Sequence, residues 1–227
     1  MFCENLMALP IRFKNNCVRS SSCPLMVLVS GMSFSLSYKE DESYFSYLWK
    51  RVKRLLFPVW IFLSLYFLAL FLCFPASKEL NFETITRSYG LVSGIGYVWI
   101  IRVFLLVALV APFLNAWDRK VISNRAYYSL LLVVWCLYEI LRFFLLPYSE
   151  GGLGQLVSLV FLYLIPYSLL FLLGLRMLAM RRSQLYALAA FSLLIFLFGV
   201  VVLFLQFGRI VPTQELKYPP SAYYFPY

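Results

Sequence analysis

Residues 55–75 read LLFPVWIFLSLYFLALFLCFP, an uncharged and almost wholly apolar run of 21 residues. About 20 such residues suffice for a helix to cross the hydrocarbon core of a bilayer, so the run predicts a transmembrane helix. Backbone polar groups must be satisfied internally in lipid, and every spanning run is therefore expected to be helical. Four further runs of similar length follow at residues 97–117, 127–147, 154–175 and 185–207.

A sixth apolar block, residues 24–36, has only 13 residues, and serine and glycine dilute it. It falls below the ~17 residues that a spanning helix needs, so it is either a clipped span or a re-entrant piece. A cleaved secretory signal is disfavoured because no small-x-small site follows it. With 63% hydrophobic residues, the chain is predicted to be all-α, a polytopic transmembrane helical bundle with about five to six helices.

The net charge of +10 would suggest a nucleic-acid partner in a soluble protein, but here the Lys and Arg residues lie mainly in short loops. Eleven of them lie in residues 39–54, 118–125 and 176–182, against four in residues 76–96, 148–153 and 208–227. This bias predicts that the first three segments are cytoplasmic and the others external. The expected partner is membrane lipid, with no role for nucleic acid.

Two residue types limit the chemistry. The chain has no histidine, so the commonest general base near neutral pH is missing. Its five cysteines include no C-x-x-C pair, and neither a metal site nor a disulfide is expected.

A basic segment precedes the first long run and contains Lys50, Arg51, Lys53 and Arg54. Arg51 and Arg54 are three residues apart, so on a helix they share a face and can hold a phosphorylated or carboxylated group in fork geometry. The alternative interpretation is a positive-inside anchor beside anionic lipid.

Three charged residues lie inside predicted spans: Arg102, Glu139 and Arg142. An ionised side chain costs a few kcal/mol or more at membrane depth unless it is paired or hydrated. Glu139 is therefore expected to pair with Arg142, Arg102 or both around a polar cavity. A purely structural ion pair, or snorkelling of the two arginines to the interface, remains the alternative. Beyond the last span, the aromatic tail at residues 214–227 is typical of an interfacial segment.

Four motifs follow one another along the chain: PLMVLVSG at residues 24–31, KRVKRLLFPVW at 50–60, WIIRVFL at 99–105 and KYPPSAYY at 217–224. In this order they resemble the acyltransferase-3 family of integral membrane proteins, which transfer acyl groups to cell-surface saccharides. The resemblance implies a multi-pass protein of the bacterial cytoplasmic membrane. It also implies acyl-CoA as donor substrate rather than a bound cofactor, and a saccharide hydroxyl as acceptor.

The same resemblance suggests roles for individual residues. Arg51 and Arg54 match the family's arginine pair and are expected to bind the donor phosphates, with Lys50 and Lys53 as auxiliary charge. Arg102 matches a further family arginine. Glu139 has no match in the family's motifs.

The departures from the family pattern concern the ends of the chain. The family has more helices than these runs provide and an essential histidine in its first helix; where some members carry a related histidine, Ser22 stands here. We interpret residues 1–23 as a replaced or disordered N-terminal segment and residues 24–227 as a partial acyltransferase-3 domain.

The catalytic residue is therefore unknown, and Glu139 is the candidate substitute for the histidine. The chain alone is expected to be inactive. The alternatives are a transporter or flippase component for a lipid-linked saccharide, and a non-catalytic remnant.

Overall fold

The computed structural model describes residues 23–38, 43–74, 77–91, 98–121, 123–145 and 152–209. Ser22 and the aromatic tail at 214–227 lie outside these ranges. Within them all regular structure is helical, with a short 3₁₀ turn at Lys78–Leu80. The α-helices are α1 (Cys23–Ser37), α2 (Tyr44–Cys73), α3 (Phe82–Tyr89), α4 (Val98–Lys120), α5 (Asn124–Leu145), α6 (Gly152–Met177) and α7 (Arg182–Phe207).

Five of these helices, α2 and α4 to α7, are long and apolar enough to cross a membrane. The prediction of an all-α, multi-pass membrane protein is confirmed. The largest difference in boundaries is at α2, which begins at Tyr44, well before the apolar run at residue 55. Its basic segment continues the same helix because Lys and Arg are good helix formers.

The sixth apolar block forms α1, a helix of 15 residues and about 22 Å, which is shorter than the ~30 Å hydrocarbon core. It packs against α6 where Gly31 meets Gly174. A Cβ atom at Gly31 would clash with the carbonyl oxygen of Phe171, and one at Gly174 would clash with that of Leu28. The two backbones are therefore in direct contact, as small residues permit between membrane helices.

The main core lies around α6, against which α1, α4 and α5 pack. Two buried tyrosines of α5 join it to α6: Tyr127 donates to the carbonyl oxygen of Leu172 at 2.7 Å, and Tyr138 to that of Leu162 at 3.1 Å. Since the residue numbers rise on α5 as they fall on α6, the two helices are antiparallel. Each phenol is satisfied by a backbone acceptor, as a buried polar group must be.

A second cluster joins α2, α3 and the start of α4 through Leu63, Phe67, Leu91 and Val98. The short helix α3 folds back along α2, where the indole of Trp60 donates to the carbonyl oxygen of Tyr89 at 3.4 Å. On the next turn of α2, the hydroxyls of Ser64 and Tyr89 are 2.7 Å apart.

The bundle has two chemically different ends. We call the end with the α4–α5 and α6–α7 connections the basic end, since it carries Arg119, Lys120, Arg125, Arg176, Arg181 and Arg182. The other end of α4, α5 and α6 is called the opposite end. None of the apolar span of α7 is buried against the rest of the described chain, which leaves this helix to lipid or to another protein.

Candidate functional site

The basic segment forms part of α2. Lys50, Lys53 and Arg54 have exposed side chains, and Arg51 is half-buried. The guanidinium carbon of Arg51 lies 5.5 Å from the ring centroid of Tyr47, one turn earlier on the helix. This cation–π contact holds one of the two arginines in position, while Arg54 is exposed.

The basic segment lies alongside α4 rather than beyond its basic end. The hydroxyl of Tyr44, at the start of α2, donates to the carbonyl oxygen of Leu109 at 3.0 Å, and its ring contacts Phe113. Further along α2, Leu63 packs with Val98 at the start of α4. The basic residues lie between these two contacts. The sequence predicted these residues at the end of a span. It did not indicate that α2 crosses α4, because a contact between two helices does not change the local composition.

The position of the basic segment alongside α4 has an energetic consequence. Several cations beside the apolar part of a spanning helix are tolerated only where water or an anion reaches them. The basic segment therefore requires a hydrated or anion-filled environment, which is what a binding site for a charged substrate provides.

The opposite end of the bundle holds the predicted intramembrane ion pair. Arg142 donates to Glu139 through Nε, at 2.9 Å from Oε2, and its Nη2 lies 2.9 Å from the same oxygen. Both side chains are 24% exposed. The expected pairing of Glu139 with Arg142 is confirmed, because residues three apart on α5 share a face.

Arg102 lies at the same end, on α4. Its guanidinium carbon is 5.1 Å from the ring centroid of Tyr163 on α6. Tyr163 directly follows Leu162, whose carbonyl oxygen accepts the hydrogen bond of Tyr138, and Tyr138 precedes Glu139 and Arg142 on α5. We call the two tyrosines and the three charged residues the opposite-end cluster. Sequence reasoning found its three charges but missed both tyrosines, since tyrosine is common in the apolar helices of this chain and gave no signal.

A third polar centre, at the basic end, was not predicted. Arg176 of α6 donates through Nε to Asp118 Oδ1 at 2.6 Å, and through Nη1 to Asn124 at 2.9 Å. Its Nη2 donates to the carbonyl oxygens of Asp118 and Val121. The guanidinium carbon also lies 3.8 Å from the ring centroid of Tyr127. Arg176 is engaged by protein acceptors on several sides, which indicates a structural role and not a site for substrate.

The fold and the polar groups define a class: a multi-pass helical membrane protein with a basic segment alongside one helix and a charged cluster at the opposite end. The family model of the acyltransferase-3 domain, described as an acyltransferase domain, matches residues 12–226. The chain belongs to the acyltransferase-3 family, and the suspected resemblance is confirmed. No curated protein and no solved structure matches it. The division of the chain at residue 23 stays a prediction.

Proposed function

We propose that this membrane acyltransferase-like protein binds acyl-CoA through Arg51 and Arg54, with Lys50 and Lys53 adding positive charge. The acceptor class is a saccharide hydroxyl at the surface of a bacterial cell, and the location is the cytoplasmic membrane. The observation that carries the proposal is the one-turn spacing of Arg51 and Arg54 within a chain of the acyltransferase-3 family.

Physical chemistry supports the donor site in two ways. Guanidinium groups bind phosphate oxygens in bidentate geometry, and charge-assisted hydrogen bonds of this kind are about twice as strong as neutral ones. The site also borders the apolar side of α4, so the acyl part of the donor meets apolar surface while its phosphates meet cations.

Catalysis by this chain alone is not part of the proposal. The family uses a histidine to deprotonate the acceptor hydroxyl, and none occurs among the 227 residues. Losing a positioned general base typically costs about 10²–10⁴-fold in rate. We therefore propose a protein that retains its donor but transfers the acyl group at a negligible rate when expressed alone.

The first experiment incubates membranes containing the chain with radiolabelled acetyl-CoA and extracted envelope saccharide, beside a relative that carries the family's histidine. Bound label without transfer to saccharide is the expected result. Transfer at a rate comparable to that of the relative, abolished by Glu139→Gln, would overturn the inactivity proposal and make Glu139 the catalytic base.

The second experiment measures retention of labelled acetyl-CoA by purified protein. The double variant Arg51→Gln and Arg54→Gln should weaken retention by about 10- to 100-fold, because two charge-assisted contacts are lost. The matched control, Arg181→Gln with Arg182→Gln, removes the same charge from exposed positions at the basic end. Equal losses in both double variants would show that net charge alone attracts the donor, and the assigned site would be wrong.

A further inference from the structure

The opposite-end cluster consists of charged and aromatic side chains from three helices that lie at the same end of the bundle. Arg102 comes from α4, Glu139 and Arg142 come from α5, and Tyr163 comes from α6. The donor role proposed for the basic segment does not explain why a carboxylate and two guanidinium groups lie at this end of the bundle.

Stability alone is a poor reason for this arrangement. An ion pair taken out of water loses much of its Coulombic gain to desolvation, and apolar side chains of similar volume often stabilise as well or better. Glu139 and Arg142 each remain 24% exposed, so a ligand can reach the pair from outside the bundle.

The groups present are those that bind neighbouring hydroxyls. A carboxylate oxygen accepts from one O–H, and the planar N–H fork of an arginine donates to the oxygen next to it. Aromatic rings supply the flat apolar surface for the C–H face of a sugar, and the half-buried Tyr163 lies within the cluster, whereas the ring of Tyr138 is buried. The charge distribution also predicts that this end is external, where surface saccharides are found.

The position of the opposite-end cluster relative to the donor site also supports a role in binding the hydroxyls of the acceptor. Arg102 and Leu109 are seven residues apart on α4, or about 10 Å along its axis. Tyr44 at the start of α2 contacts Leu109, and Leu63 further along α2 packs with Val98, so the basic segment between them lies along the same helix, α4, as Arg102. An extended donor held at the basic segment can direct its acyl end toward the cluster.

We propose that the opposite-end cluster binds the acceptor, through vicinal hydroxyls of a saccharide held by Glu139, Arg142 and Arg102. The proposal rests on the acyltransferase-like function above, and it assigns the acceptor to a site separate from that of the donor.

Trp135 provides a reporter, because its ring centroid lies 6.4 Å from that of Tyr138. Methyl glycosides of common hexoses are titrated into the purified chain in lipid nanodiscs, and the fluorescence change that Trp135→Phe removes is recorded. Each glycoside is compared with its per-O-methylated form, which has the same rings but no hydroxyl donors. At least one glycoside should bind about 10-fold or more tightly than its methylated form.

Variants separate binding from a structural role. Glu139→Gln should weaken glycoside binding by about 10-fold or more, whereas Glu83→Gln, in the exposed ion pair with Arg87 on α3, should leave it unchanged. The swap of Glu139→Arg with Arg142→Glu keeps an ion pair on the same face of α5 but inverts it. If the ion pair is only structural, the swapped variant should bind glycosides like the wild type. If Glu139 and Arg142 bind the hydroxyls, the swapped variant should lose binding.

The outcomes are distinct from those for the donor site. Glu139→Gln should retain acetyl-CoA normally, and the Arg51/Arg54 double variant should keep the glycoside response. The proposal is overturned if no glycoside binds, if methylated forms bind equally, or if the swap restores binding. The comparison of methylated and free glycosides uses the unaltered chain, so it decides the question even where a variant fails to fold.

Discussion

Arg176 donates at least four hydrogen bonds to acceptors in the described part of the protein. Its hydrogen bonds join the end of α6 to the end of α4 and the start of α5. The ion pair with Asp118 is largely buried, at 13% and 16% exposure. Removing one partner of such a pair strands the other charge, which costs more than the pair contributes when intact.

Arg176→Ala should therefore destabilise the folded protein by about 2–3 kcal/mol, below the range for a fully buried pair. Asp118→Asn should cost less, because an amide oxygen can still accept from the guanidinium. Denaturant titration in detergent micelles, followed by circular dichroism, measures both. The matched control is Arg125→Ala, which removes an exposed arginine nearby. A loss for Arg125→Ala as large as that for Arg176→Ala would contradict the role given to these contacts.

At the scale of elements, the α1–α6 contact depends on two missing side chains. Gly31 and Gly174 face each other, so each backbone occupies the space that a Cβ atom on the other would need. The buried face of α1, which includes Val27 and Phe34, depends on this close approach.

Gly174→Ala should separate the two helices and cost about 1–3 kcal/mol, as overpacking in a close contact does. Adding Gly31→Ala to this variant should destabilise the protein by less than Gly174→Ala does alone, since the helices have already moved apart. The readout is maleimide labelling of Cys23, buried at 0% exposure in the wild-type fold, in a chain whose other cysteines are alanine.

The control for this prediction is Gly199→Ala on α7, whose span is not buried against the described chain. Since alanine is the better helix former, this change should leave Cys23 protected and the stability equal or slightly higher. Labelling of Cys23 at the wild-type rate in Gly174→Ala would show that α1 does not rely on the glycine contact.

At the scale of the whole molecule, the charge distribution predicts the orientation of the bundle in the membrane, and packing determines where each helix lies along its neighbours. The connections at the basic end concentrate arginine and lysine, as expected for the cytoplasmic side. The start of α2 nevertheless lies beside Leu109, within the length of α4.

Reporter fusions after Arg54, Arg125 and Arg182 should therefore read cytoplasmic, and fusions after Glu83, Glu150 and Tyr227 should read external. A phosphatase that is active only outside, paired with a fluorescent protein that matures only inside, gives two independent readouts at each site. Two or more reversals among the six would disprove the orientation.

The spacing of residues within single helices predicted the structure well. The five long runs became helices because each is continuous and apolar, and Glu139 and Arg142 paired because three residues bring them onto one helical face. The basic segment also kept its one-turn spacing on α2. None of these features depends on which helix lies next to which.

The sequence by itself therefore determined the class of protein, the number of long spans and the contacts made within one helix. Only the tertiary structure decided that Arg176 meets Asp118, 58 residues away, that Gly31 meets Gly174, and that the start of α2 lies beside Leu109. The physical reason is that lipid and protein core are both apolar. Helix faces that pack and faces that meet lipid then have similar compositions, and the order of helices in the bundle follows from steric fit and a few long-range polar contacts.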